Sequence, residues 1–268
     1  ISAIFLGIKK GINEFIYKKN IRIKMNVKHF SLIIFITVLC VACAQKEDAA
    51  SIINKTIQAS GMKNLNKKHV SFDFRDKKYE SYHDNGKFEL KRIIQDSVTT
   101  TDIITNTGFT RLINGREVVL ADSTKSKYKN SVNSVHYFAY LPNGLDGQAV
   151  NKKLLGEATI KGVSYYKIKV WFDQEGGGED FEDVFIYWVN KETFKTDYLA
   201  YEYHVNEGGM RFREAYNRRV IKGIDFVDYN NYKPVSKASK LIELDSLFDA
   251  GNFEFLSNIE LANVTVKA

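Results

Sequence analysis

The stretch densest in chemistry-bearing residues runs from Glu175 to Asp183. Five carboxylates, Glu175, Glu179, Asp180, Glu182 and Asp183, surround the triple glycine Gly176-Gly177-Gly178. Hard cations such as calcium are held by several oxygens at once, and glycines let carbonyls and carboxylates converge on one ion. The five acids are therefore candidate metal ligands, with a spacing that is not that of an EF-hand. A solvated hairpin loop and a partner-binding loop are the competing readings. A phosphate loop is excluded, because the charge is negative and no Gly-Lys-Ser/Thr follows.

A second group is Arg211, Arg213 and Glu214 with His204. On a strand, Arg211 and Arg213 share one face, and Glu214 takes the other with Met210, Phe212 and Tyr216. The latter is the expected core face. A carboxylate there needs a partner or a raised pKa, so Glu214 is a candidate acid/base or else a structural hydrogen-bond anchor. His204, opposite Tyr203 and Val205, is its weaker companion and reads as a surface or strand-end residue. Gly-x-Ser-x-Gly and His-Glu-x-x-His are both missing, and the five histidines (29, 69, 83, 136 and 204) fall at no ligand spacing. No cofactor is indicated.

The chain has 268 residues, of which 44% are hydrophobic and 26% charged, a composition that folds rather than stays disordered. Two cysteines exclude a disulfide scaffold and a zinc ribbon. The net charge of +7 suggests a polyanionic partner until it is located. Seven Lys/Arg and one acid lie within residues 1–42, leaving 32 basic against 31 acidic residues, a net of +1, for the remainder. The charge gives no support to nucleic-acid binding.

Those first 42 residues read as a leader. Met25 to His29 is a short basic start, and Phe30 to Ala42 is an apolar run. It is too short for the roughly 20 residues of a spanning helix and fits a secretory signal peptide. Ala42-Cys43 resembles a lipobox, with Cys40 where leucine is usual, so cleavage would free Cys43 for acylation. The expected organisation is an upstream segment over 1–24, a lipoprotein signal peptide over 25–42, a lipidated tether over 43–48 and a β domain over 49–268. The outer membrane, reached through that lipid, is the expected partner, at either its periplasmic or its surface face.

The elements that must position any site follow from periodicity. Ile52, Ile53, Thr56 and Ile57 predict a helix over Ala49 to Ser60, stopped by Gly61. Val70, Phe72 and Phe74 alternate as a strand, and Asn85-Gly86 and Asn114-Gly115 mark hairpins. Tyr128, Val132, Val135, Phe138 and Ala139 form an apolar stripe, predicting an amphipathic helix over Asp122 to Tyr140 that Pro142 ends. Five further strands are expected at Tyr165 to Phe172, Val184 to Val189, Asp197 to Val205, Met210 to Ile221 and Ile224 to Tyr232. Leu241 to Lys267 should supply a short helix and a closing strand. The fold class is mainly β (α+β): a single curved antiparallel sheet or half-barrel, with an N-terminal helix and a mid-chain lid helix.

The helix Ile52 to Gly61, followed closely by a strand, resembles the opening of the periplasmic lipoprotein carrier and its outer-membrane receptor. That resemblance implies a half-barrel with helices closing its concave side. The segments Gln174 to Val184 and Arg211 to Asn217 are similar to an uncharacterised family of Gram-negative envelope lipoproteins, a likeness covering residues 43–266. Neither resemblance implies a catalytic residue. Aldolase activity, suggested for some relatives, would need a Schiff-base lysine in a (β/α)₈ barrel, and the repeated βα units are missing.

Strand 184–189 is apolar on both faces, Val184, Ile186 and Trp188 on one and Phe185, Tyr187 and Val189 on the other. Such a strand suits a sheet that lines an apolar cavity. Tyr128, Val132, Val135, Phe138, Val184, Ile186 and Trp188 are the expected cavity residues. The expected function is binding of a lipid, lipoprotein or other apolar ligand without catalysis. The alternatives are a hydrolase or isomerase on an envelope or carbohydrate substrate, and a surface interaction module.

Overall fold

Asp48 starts the first helix, its carboxylate accepting the backbone N–H of Ser51 at 2.7 Å. In the computed structural model, which describes residues 47–176, 182–204 and 208–268, this helix (α1, Ala49–Ala59) opens a compact unit over Asp48–Ala268. Ile52, Ile53 and Ile57 point from α1 into the main core. Gly61 ends the turn at φ 66°, and a Cβ there would lie 1.9 Å from the carbonyl oxygen of Gly223. Only glycine fits on both counts. The leader and Cys43 lie outside the described residues. Among the described residues no helix is long and apolar enough to cross a membrane.

The strands form two seven-stranded antiparallel sheets rather than one. The first holds β1 (Lys68–Phe74), β2 (Lys77–Asp84), β3 (Lys87–Gln95), β4 (Thr99–Thr105), β5 (Gly108–Ile113), β6 (Arg116–Val118) and the last strand, β14 (Ala262–Lys267). The second runs in order from β7 (Val150–Ile160) through β8 (Val163–Phe172), β9 (Val184–Asn190), β10 (Thr196–Tyr203), β11 (Gly209–Ile221) and β12 (Ile224–Pro234) to β13 (Phe253–Ile259). β13 pairs with β12, and β14 pairs with β1, so Glu260-Leu261 carries the chain from one sheet to the other. Asn85-Gly86 and Asn114-Gly115 turn with positive φ at both positions, as their side chains favour. Lys161-Gly162 and Lys222-Gly223 turn in the same way without an Asn signal.

The mid-chain helix (α2, Asp122–Ala139) packs onto the first sheet through Val132, which meets Leu90, Ile104 and Phe109. Beneath it, three neighbouring strands place Arg92, Asp102 and Arg111 side by side. Fully buried Asp102 accepts from Arg92 Nη2 at 2.6 Å and from Arg111 Nε at 2.6 Å. Arg92 Nη1 then donates to Ser131 of α2 at 2.7 Å, and the Arg111 guanidinium lies 3.4 Å from the Tyr128 ring centroid. His136, 1% exposed, donates from Nε2 to the carbonyl of Lys91 at 3.0 Å. A short helix (α3, Leu244–Asp249) covers the outer face of the second sheet with Leu244 and Phe248.

Two predictions follow from this anchoring. Asp102→Asn leaves the buried Arg92 and the half-buried Arg111 short of their carboxylate, so chemical denaturation should show a loss of about 3–5 kcal/mol. A loss below about 1 kcal/mol would mean that the triad does not hold α2. Burial holds the His136 ring at a pKa of about 4, against 6.5 when exposed. Unfolding between those values takes up a proton, so this contribution is complete above pH 6.5 and is lost as pH falls toward 4. Its full size is about 3 kcal/mol, and about 2 kcal/mol has gone by pH 5. Burial lowers His83 in the same direction. Stability measured at pH 7.5 and pH 5 should therefore fall less in His136→Phe than in the parent, and an equal fall in both rejects the assignment.

Candidate functional site

Alternation along the second sheet sends two sets of side chains to opposite sides, and both are buried. Outward go Ile186, Trp188, Tyr198, Ala200 and Phe212, which pack beneath Leu241, Leu244 and Phe248. Inward go Phe185, Tyr187, Leu199 and Tyr229, which join the core between the two sheets. Between the inner face and α2 lies a cavity of about 680 Å³, within the range of small-molecule sites, about 300–1,000 Å³. Val135 and Phe138 line it from α2, and Phe185, Tyr201, Arg213 and Tyr229 line it from the sheet.

Aromatic rings form much of the wall. Phe138 lies 5.4 Å from Tyr201, and Phe185 stacks on Tyr201 at 5.4 Å, centroid to centroid. The hydroxyls of Tyr137 and Tyr187 pair at 2.8 Å, tying α2 to β9. Burial pushes both phenols upward and Tyr229 to about 12, so all three stay neutral hydrogen-bonding groups. The formal charges on the lining are Arg75, Arg211, Arg213 and Asp183, three cations against one anion.

The residues singled out from the sequence separate in space. Val135 and Phe138 line the cavity. Tyr128 and Val132 do not. They sit farther along α2, against the first sheet with Leu90 and Phe109. Val184, Ile186 and Trp188 are also misplaced by the sequence reading, because they take the outer face under α3. Trp188 is fixed there by donating from Nε1 to Asp245 at 3.1 Å, and Lys167 reaches the same oxygen at 2.7 Å. The cavity belongs to the other alternation set, Phe185 first. Periodicity presented both sets but held nothing that said which face α3 would cover.

Glu214 and His204 do not converge. Glu214 faces outward beside Phe212, opposite Tyr198, and His204 is exposed beyond the end of β10. Six positions along the strand separate Tyr198 from His204, on the order of 20 Å. Burial raises the Glu214 carboxyl, but hydrogen bonds from Lys161, Asn230 and Tyr232 outweigh it and leave the group lowered. Lys161 Nζ lies 2.5 Å from its Oε1, and Tyr232 donates at 3.2 Å. This is an ionised anchor tying the β7–β8 turn to β11 and β12. Among the five acids of the glycine loop, Glu175 and Glu182 are exposed and Asp183 lines the cavity. Glu179 and Asp180 lie outside the described residues. No group of three metal-ligating side chains occurs among the described residues.

Arg213 is the lining residue that the sequence reading placed on the solvent side of its strand. It is 7% exposed. Its guanidinium carbon lies 3.6 Å from the Phe138 ring centroid, and Nη2 donates to the Tyr201 hydroxyl at 3.0 Å. Leu199 and Asn231 flank it on the neighbouring strands. Its signal in the sequence was the Arg211/Arg213 pair between two tyrosine-rich strands, which reads equally as a polar face.

No curated protein matches the chain. Among solved structures, it is similar to a DUF1329 family protein from Desulfovibrio piger, with 10% identity over 80% of this chain and 91% of that one and a TM-score of 0.47. It is also similar to a LolA superfamily protein from Nitrosomonas europaea, with 11% identity over 83% of this chain and 94% of that one and a TM-score of 0.47. A family model matches residues 28–261, most of the chain, and the protein belongs to that family, the family of unknown function DUF6503.

Proposed function

We propose that this protein is an envelope lipoprotein whose domain over residues 49–268 binds a lipid or another apolar ligand without covalent chemistry. The observation that carries the reading is the cavity of about 680 Å³ between α2 and the second sheet. Its walls are aromatic and aliphatic over most of their extent. Each CH₂ buried there is worth about 0.8 kcal/mol, so the site rewards an acyl chain more than a compact polar solute. The sequence supports attachment to the outer membrane through acylated Cys43, with residues 43–48 as a tether. The acid/base candidates Glu214 and His204 support no competing site, since Glu214 pairs with Tyr198 on β10 while exposed His204 stands six positions on, beyond the end of that strand.

Ligand uptake needs a way past α2. The helix is held on the first sheet by Ser131, Tyr128 and His136, and on the second by Tyr137. It therefore serves as a wall rather than as a freely swinging lid, and access is expected along its Asn130–Ser134 edge, where polar side chains rim the cavity.

Soluble protein beginning at residue 44 should bind the neutral probe N-phenyl-1-naphthylamine saturably, read by fluorescence, and should release lipid on native mass spectrometry. Val135→Trp, which pushes an indole into the cavity, should weaken probe affinity about tenfold while retaining cooperative unfolding. A parent protein with neither saturable probe binding nor bound lipid overturns the reading. In cells, Cys43→Ser should abolish incorporation of labelled palmitate and move the protein to the soluble fraction, and unchanged labelling would remove Cys43 as the anchor.

A further inference from the structure

A buried cation normally has a buried anion beside it, because the unpaired charge is costly in a low-dielectric interior. Four partly buried cations on or beside the second sheet do so with well-buried acids. Arg218 pairs with Asp225 at 2.5 Å, Lys195 with Asp225 at 3.1 Å, Arg219 with Asp228 at 3.1 Å, and Lys167 with Asp245 at 2.7 Å. Arg213 departs from the pattern. Among the described residues it makes no ion pair, although it is more buried than any of those four cations. Nη2 is satisfied by Tyr201, but Nε and Nη1 are buried without a hydrogen-bond partner. One strand away, Oδ1 of Asn231 is likewise buried and unpartnered. Both residues line the cavity.

The guanidinium is nonetheless held in place. Phe138 covers it at 3.6 Å, Tyr201 fixes one nitrogen, and the strand pairing fixes its height in the sheet. A guanidinium held this way keeps unmet N–H donors on Nε and Nη1, each able to give a charge-assisted hydrogen bond to a carboxylate or phosphate oxygen. Asp183 is the one acid on the lining, and Arg211 and Arg75 add two further cations. Arg211 is half-buried, stacks 5.0 Å from the Tyr203 ring and donates to the carbonyl of Met210.

We infer that Arg213 is the headgroup-binding residue of the cavity, and that the ligand is an anionic amphiphile whose carboxylate or phosphate meets Arg213 while its acyl chain fills the aromatic space. Asn231 supplies the adjacent polar contact, as an acceptor for a protonated or hydroxylated headgroup. The inference rests on the apolar-ligand reading and adds a sign of charge and an orientation. It also accounts for a buried cation that makes no ion pair among the described residues: Phe138 and Tyr201 offset part of its desolvation, and the anion of a ligand would offset the rest.

Three probes separate the ideas: hexadecanoate, its neutral analogue hexadecanol, and acetate, which is the headgroup without a chain. Titration calorimetry on the parent should show hexadecanoate binding at least tenfold more tightly than hexadecanol, with acetate far weaker than either. Arg213→Gln should lower hexadecanoate affinity at least tenfold, leave hexadecanol within about threefold, and lose nothing in thermal stability. Arg213→Lys should recover part of the loss. Equal affinity for hexadecanoate and hexadecanol in the parent, or an equal loss of both in Arg213→Gln, overturns the headgroup assignment and leaves the apolar-ligand reading standing. Acetate binding as tightly as hexadecanoate overturns the amphiphile in favour of a free anion. Absence of binding by both long-chain probes brings down both readings.

Discussion

The architecture depends on one buried carboxylate. Asp102 is surrounded by Arg92 and Arg111 from the adjacent strands, and both arginines reach on into α2. Two cations on one anion would be a poor bargain in isolation, because desolvation costs several kcal/mol per ion. Here each guanidinium makes further contacts, to the Ser131 hydroxyl and the Tyr128 ring. The helix is thereby registered on the first sheet at its Tyr128–Val132 turns. Given that register, helical geometry sends Val135 and Phe138 toward the second sheet. The cavity roof is thus a consequence of where the first sheet grips the helix.

The second constraint is that the second sheet is buried on both faces. Such a sheet must be covered twice, and the chain achieves this with elements far apart in sequence, α1 and α2 on the inner side and α3 on the outer. The outer cover is dense. Phe212 stacks on Phe248 at 4.6 Å and meets Trp188 at 5.4 Å. The inner cover is looser, since α2 is committed to the first sheet and cannot also press flat against the second. A helix shared between two sheets leaves space on one of its sides, and here the space opens where Phe138, Tyr201 and Arg213 lie.

Local chemistry made much of this legible in advance. The isoleucine spacing marked α1, Asn-Gly marked two hairpins, and the stripe from Tyr128 to Ala139 marked α2 to within a residue. The mainly β class with covering helices was legible too, but the division into two sheets between β6 and β7 was not, nor was the return of β14 to β1 across most of the chain, because no local pattern encodes so distant a pairing. β7 passed unnoticed because its residues are half-buried without clean alternation and its turn is Lys161-Gly162, which carries a glycine but no asparagine. The cavity face was misassigned for a different reason. Val184 to Val189 offers two equally apolar faces, and the choice was made by Asp245, an acid more than fifty residues downstream that fixes Trp188 and Lys167 to the outer side.

Arg213 shows where period-two reasoning fails in principle. Alternation sorts residues by side, and the polar side is then taken as the wet one. On β11 the arginine side is the interior of a ligand-sized space, and the glutamate side is covered by α3 and closed by Lys161 and Tyr232. Both faces of this strand bury a charge, but among the described residues only one supplies the counter-charge from the chain itself. Glu214 has Lys161, whereas Arg213 has an aromatic ring, a phenol and two buried donors without a partner. Folding alone gives no reason for that asymmetry, since a leucine at 213 would pack against Phe138 without the desolvation cost. A site that must distinguish the head of an amphiphile from its tail does give one. The charge has to be buried for the interaction to be strong, and unpaired within the protein for the ligand to complete it.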